Sequence, residues 1–221
     1  MRRSVAVIKQ LTSSMHEIVR DYGNLVRTPA LIDDLVSGTS FFPGGRGLWC
    51  GEDPNGAIPE LFPVRPVMFV GNYWFNENGF VEAKVRGSEN IMQTTGFWAS
   101  FRAYIRACGL QNQECFFTNA LMGLTAGNGP ATGRLTGDGP NFRKECRVFF
   151  GEQINIVKPR AVVLMGDHAQ EELGDFYSGI PTAKIPHPSS LRVKPDVLDE
   201  AAKKKVVNYL TLLKQSDAGA P

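Results

Sequence analysis

The sequence predicts an α/β protein: a three-layer αβα sandwich around a central, mainly parallel sheet of four strands. Two observations carry this. Short continuous apolar runs, Val67-Met-Phe-Val70 and Ala161-Val-Val-Leu-Met165, have the composition of strands buried on both faces. Between them lie segments with apolar residues at i, i+3, i+4 and i+7, which is helical spacing. Strands that alternate with helices pair in parallel and carry helices on both sides.

The elements follow in order. Residues 4–36 read as N-terminal helices: Leu11, Met15, Ile18, Val19 and Tyr22 share a face, Pro29 breaks the pattern, and Ala30–Val36 forms a short second helix. Residues 37–66 are rich in Gly and Pro and read as loop; Cys50-Gly-Glu-Asp-Pro-Asn55 within them reads as a turn. The first strand, Val67–Val70, is bounded by Pro66 and Gly71. A helix from Thr94 to about Cys108 places Phe97, Phe101, Tyr104, Ile105 and Cys108 on one face, and Gly109 ends it. Cys115–Leu121 is the second strand. Residues 123–140 hold six glycines and form a long loop without the Gly-Lys-Ser/Thr of a nucleotide P-loop. Asn141 can cap a helix that aligns Phe142, Cys146, Phe149, Gln153 and Val157, stopped by Lys158-Pro159. The third strand, Ala161–Met165, leads through Gly166-Asp167 into a short helix, His168–Leu173. Thr182–Ile185 is the fourth strand. A last amphipathic helix, Asp196–Gln215, turns Val206, Tyr209, Leu210 and Leu213 inward and the lysines 203–205 outward; Ser216–Pro221 reads as a disordered tail.

Composition bounds the function classes. A chain of 221 residues with 43% apolar content fills one domain core, and a single domain over 1–221 is expected. The net charge of +2 neither demands nor excludes nucleic acid. No apolar run approaches the roughly 18 residues of a membrane span, and the stretch after Met1-Arg2-Arg3 is too short for a signal peptide core. Cys50, Cys108, Cys115 and Cys146 form no Cys-x-x-Cys pair, so neither a zinc site nor a disulfide framework is expected. A cytoplasmic monomer with reduced thiols is the resulting expectation.

The chemistry is expected at the carboxyl ends of the strands. Parallel strands bring Gly71-Asn72, Thr118-Asn119 and His187 to one rim. His187 lies between two prolines, hence in neither a helix nor a central strand, but on a stiff loop after the fourth strand. Ser189, Ser190, Leu191 and Arg192 follow it. That order suits phosphate contact, an apolar wedge and an imidazole aimed at an extruded base. A structural turn with a solvated histidine is the alternative. Asn119, in an otherwise apolar strand, either bonds a neighbouring loop or offers a donor and an acceptor to a base edge. Tyr73, Trp74 and Phe75 either pack in the core or stack on a base. Leu191 either packs beside the last helix or serves as the wedge.

The order apolar strand–Gly71, Phe117-Thr118-Asn119, Gln153-Ile-x-Ile-Val-x-Pro159-x-Ala-Val-Val-x-x-Gly166-x-x-Ala169, then His187-Pro-Ser-Ser-Leu191 resembles the uracil-DNA glycosylase superfamily over roughly residues 65–193. Glu145-Cys146 through Gly166 and His187–Leu191 are its most specific parts, and they look closest to the bacterial branch that usually carries an iron–sulfur cluster. The resemblance implies excision of uracil or another altered base from DNA. It implies that His187 stabilises the departing base through its carbonyl oxygen, that Asn119 reads the Watson–Crick edge, that Ser189 and Ser190 hold phosphates, and that Leu191 fills the vacated stack.

The departures from that pattern are specific. Asn72 stands where that branch has an acidic residue, and the proline of the first motif is absent; a neutral amide orients water but is a poor base. Glu77 is the nearest carboxylate that could substitute. Cys146 matches one cluster-ligand position, but Gly123 stands where its near partner should be. One thiol cannot hold a four-iron cluster, so no metal and no cofactor is expected. Three functions remain open on the sequence: a monofunctional glycosylase, a DNA- or base-binding module that has lost turnover, and an unrelated small-molecule α/β enzyme.

Overall fold

The computed structural model describes residues 2–3, 62–63, 66–73, 78, 82, 96–111, 114–121, 140–174, 179–188, 200, 204 and 208. Its centre is a parallel sheet of four strands: β1 (Val67–Gly71), β2 (Cys115–Asn119), β3 (Ala161–Met165) and β4 (Thr182–Ile185). Their spatial order is β2-β1-β3-β4. The register runs from Val67↔Cys115 to Gly71↔Asn119 on one side of β1 and from Val67↔Ala161 to Val70↔Leu164 on the other. β3 pairs β4 from Val162↔Thr182 to Met165↔Ile185. Among the described residues three helices flank the sheet: α1 (Gly96–Ala107), α2 (Pro140–Val157) and α3 (Asp167–Leu173).

The strands read as apolar runs because both faces are covered. Successive side chains alternate between faces. Val67, Phe69, Phe117, Val163 and Ile185 pack with Phe101, Tyr104 and Ile105 of α1. Met68, Val70, Phe116, Val162 and Leu164 pack with Phe150 and Val157 of α2 and Leu173 of α3. The three-layer αβα architecture expected from the sequence is therefore present.

Element ends differ in detail from the sequence reading. β2 stops at Asn119, although Ala120 and Leu121 stay beside β1 through backbone bonds from Ala120 N–H to Gly71 C=O and from Leu121 N–H to Asn72 C=O, both 2.8 Å. α2 begins at Pro140, so Asn141 lies inside the first turn instead of capping it; proline suits that first position because its missing N–H has no helical partner there. α2 ends where predicted, with Lys158 at φ 50 before Pro159. α1 closes on Gly109 and Leu110, with Gly109 N–H donating to Arg106 C=O and Leu110 N–H to Ile105 C=O. Arg2–Arg3 pairs antiparallel with Phe62–Pro63, a contact the loop reading of 37–66 did not contain.

The first helices at 4–36, the turn at 50–55, the Gly-rich segment up to 139 and the tail lie outside the described residues. Of the final helix, Glu200 and Asn208 are helical and exposed, and Lys204 is exposed. No helix among the described residues is long and apolar enough to cross a membrane.

α2 and α3 are tied by one acid. Glu172 is buried at 4% exposure, pairs with Arg143, and its carbonyl accepts from Arg147 Nε at 2.6 Å. Glu172→Ala strips Arg143 of that partner. It is expected to cost about 1.5–3 kcal/mol, seen as a lower urea midpoint at constant m.

Candidate functional site

The sheet order creates a crevice. From β1 the chain crosses outward to β2, then returns past β1 to β3 and continues to β4. The direction of winding reverses between β1 and β3, and ligands of open α/β sheets bind outside the carboxyl ends of the strands at such a point. A cavity of about 430 Å³ lies there. Its walls are Asn72 just after β1, Met165, Gly166, Asp167 and His168 from the end of β3 and the start of α3, and Lys184, Ile185, Pro186 and His187 from β4 and its exit.

Two of the sequence-predicted residues, Asn72 and His187, line this cavity together. Asn119 ends β2 at the same rim, directly across from Gly71, and is 3% exposed. It does not line the cavity itself. Gly71 carries no side chain for a steric reason: a Cβ there would sit 2.6 Å from Asn119 Oδ1 and 3.6 Å from Phe117 Cζ. The amide therefore occupies the space above Gly71, one residue from Asn72. Tyr73 follows, half-buried, and burial pushes its phenol pKa up, so the ring is neutral. Phe75, Ser189, Ser190, Leu191 and Arg192, with Trp74 and Glu77, lie outside the described residues.

His187 is held from two sides. Gly166 has φ 85, a conformation that strains any residue with a Cβ, and a Cβ there would stand 3.3 Å from His187 Cβ. On the other side the Phe97 ring lies 5.6 Å from the imidazole at 42°. Phe97 in turn stacks on Phe101 at 5.7 Å and meets Phe117 edge-on at 5.7 Å, so an aromatic column connects the core to the imidazole. On the sequence alone Phe97 is one residue of a core helix face. Its role beside His187 depends on where α1 starts relative to β4, which no local pattern encodes. On the sequence alone Asp167 belongs to the lead-in to a short helix, His168 to that helix and Lys184 to the fourth strand.

Burial holds the His187 pKa below its ordinary value, and nearby His168 pushes in the same direction. The imidazole is thus neutral at neutral pH and offers a ring N–H as a donor. The sign for stability follows. Between the lowered pKa and the ordinary value of about 6.5, the unfolded chain binds a proton that the native site refuses. Stability therefore rises with pH across that window and is lost as pH falls through it. His187→Asn is expected to flatten this part of the curve, measured as urea midpoints at a series of pH values.

Among the described residues no set of cysteines is gathered that could hold an iron–sulfur cluster, and Cys50 lies outside them. Cys146 lies buried on α2 and is in no disulfide, and Cys108 and Cys115 sit at the opposite, amino-terminal end of the sheet. No group of three or more His, Cys, Asp or Glu among the described residues could hold a metal ion.

The assembled rim offers a buried amide, a second amide on the cavity wall, a neutral imidazole and apolar or aromatic surface. That set can bind a flat, polar heterocycle, hold a water molecule and donate to a developing oxyanion. No curated protein matches the chain. The sequence does match the family model of the Uracil DNA glycosylase superfamily over residues 48–211, about three quarters of its length and all four strands, and the chain belongs to that superfamily.

Proposed function

We propose that the protein is a monofunctional DNA glycosylase. It hydrolyses the N-glycosidic bond of an extruded uracil or another altered base and leaves an abasic site. The observation that carries this reading is the meeting of Asn72 and His187 on one cavity at the switch point, with Asn119 fixed beside them.

The nucleotide leaves its stack at a cost of about a few kcal/mol and enters the rim. Tyr73 or Phe75 stacks on the base. Asn119 pairs with its Watson–Crick edge. The glycosidic C–N bond then lengthens with its electron pair passing to the base, and the neutral imidazole of His187 donates to the base carbonyl oxygen as negative charge gathers there. Water positioned by Asn72 or Glu77 adds to the sugar cation, and its released proton passes through solvent to the departing base anion. No metal enters any step. The enzyme acts as a cytoplasmic monomer, with Ser189, Ser190 and Arg192 on phosphates.

The test is alkali cleavage of labelled oligonucleotides carrying uracil or other altered bases. Breaks with one base and none with ordinary DNA support the reading. A second reading draws on the neutral Asn72 at the position of a water-activating carboxylate: a module that binds DNA without turnover. Tight binding without breaks on any base would establish it instead.

Leu191 is expected to act as the wedge. Leu191→Ala should then slow excision more from a paired duplex than from a single strand, where no stack is broken. An unchanged ratio together with a lower melting temperature would place Leu191 in the core.

A further inference from the structure

The mouth of the cavity carries an ion pair that the fold does not need. Lys184 Nζ on β4 meets Asp167 Oδ1 in the first turn of α3, and both residues line the cavity that His187 lines. Their side chains remain 43% and 73% exposed, and pairs this wet contribute little to stability. The segments they join are already in register through the β3–β4 ladder, which Gly166 N–H extends by donating to Ile185 C=O at 2.9 Å. Lys184 can therefore change partners without disturbing the backbone. His168, on the same wall, has its Nδ1 at 3.5 Å from Glu171 Oε2 and is not part of the pair.

Resting on the glycosylase reading, we propose that Lys184 is a phosphate-binding residue held in reserve by Asp167. In the free protein the ammonium sits on the carboxylate. When a strand delivers a nucleotide to the cavity, Lys184 transfers to a phosphate flanking that nucleotide, and Asp167 is left bare. Lys184 precedes His187 by three residues, at most about 11 Å of chain, so a base that reaches the imidazole brings its nearest phosphates to the lysine. The phosphate offers a charge-assisted bond of the same kind as the one released. The bare carboxylate repels the incoming backbone. Contact is then favourable only where the rest of the site is filled, which discriminates against strands that merely graze the mouth.

The experiment is a salt titration of binding to a duplex with one tetrahydrofuran abasic site, for the full chain and its Asp167→Asn, Lys184→Gln and double variants. Glu114→Gln, which removes an equal charge at the far end of the sheet where Glu114 pairs with Arg160, controls for net charge. Asp167→Asn should tighten binding about 3–10-fold beyond that control and steepen the salt dependence. Lys184→Gln should weaken binding several-fold and make the slope shallower by about 0.9, the loss of one phosphate contact. In the Lys184→Gln background, Asp167→Asn should tighten binding less than it does in the wild type, because only the repulsion of the bare carboxylate is left to relieve. Scanning the strand with neutral methylphosphonates should find one phosphate whose neutralisation abolishes the difference between wild type and Lys184→Gln. The exchange is overturned if Asp167→Asn matches the control, or if Lys184→Gln leaves affinity and slope unchanged. A wild type that binds the duplex but releases no base from the oligonucleotide panel sinks the activity and leaves the exchange standing; one that binds no DNA sinks both.

Discussion

His187→Ala is expected to lower the single-turnover excision rate by about 10²–10³-fold while leaving DNA affinity within a few-fold. The asymmetry follows from where the charge is. In the bound substrate the base carbonyl is a neutral acceptor. As the C–N bond breaks, that oxygen becomes part of an anion, and a donor already fixed beside it stabilises the transition state more than the ground state. The Gly166 backbone on one side and the Phe97 ring on the other hold His187 in place. Its lowered pKa keeps it a neutral donor, which avoids carrying a desolvated cation in the free site. Alanine removes the donor and leaves Phe97 partly uncovered, so a modest fall in melting temperature should accompany the loss. His187→Gln, which keeps an N–H donor on a longer arm, should recover part of the rate. If the alanine variant cleaves at the wild-type rate, or loses binding in step with rate, the imidazole has no transition-state role.

The sequence made the sheet legible because its strands are buried on both faces. Val67–Val70 and Ala161–Met165 have nothing polar to place outward, so their apolar runs marked them to within a residue. Parallel pairing then brought Asn72, Asn119 and His187 to one rim without any knowledge of distances. What remained illegible depends on the relative placement of elements far apart in the chain. Phe97 looked like one more core residue of α1, because helical periodicity reports a face and not the partner at its end. The Asp167–Lys184 pair joins a helix start to a strand, and each alone reads as a solvated charge. Asn141 looked like a helix cap, but Pro140 opens the helix one residue earlier. In the sequence the Asn119 amide is a polar group in an apolar strand that needs a partner; a glycine that equally ends a strand does not reveal that Gly71 clears its space.

That clearance makes Gly71→Ala the most informative single methyl in the protein. The new carbon would start 2.6 Å from Asn119 Oδ1, closer than a Cβ and an oxygen can stand. Phe117 Cζ at 3.6 Å blocks retreat on one side, and at 3% exposure the amide has no solvent-side route out. Either the amide rotates away from its place above Gly71 or β1 and β2 part at Gly71↔Asn119, where the ladder continues into the Ala120 and Leu121 bonds. Excision should fall about 10²-fold, the scale of an ångström's misplacement at a reacting centre. Overpacking should destabilise the fold by about 1–3 kcal/mol. A double-mutant cycle separates the steric conflict from general damage to the strand. With Asn119→Ala the blocking oxygen is gone, so Gly71→Ala should cost little further stability and almost no further rate. Strict additivity of the two substitutions in both stability and rate would mean that Gly71 and Asn119 act independently, and that the amide is not placed by the glycine beneath it.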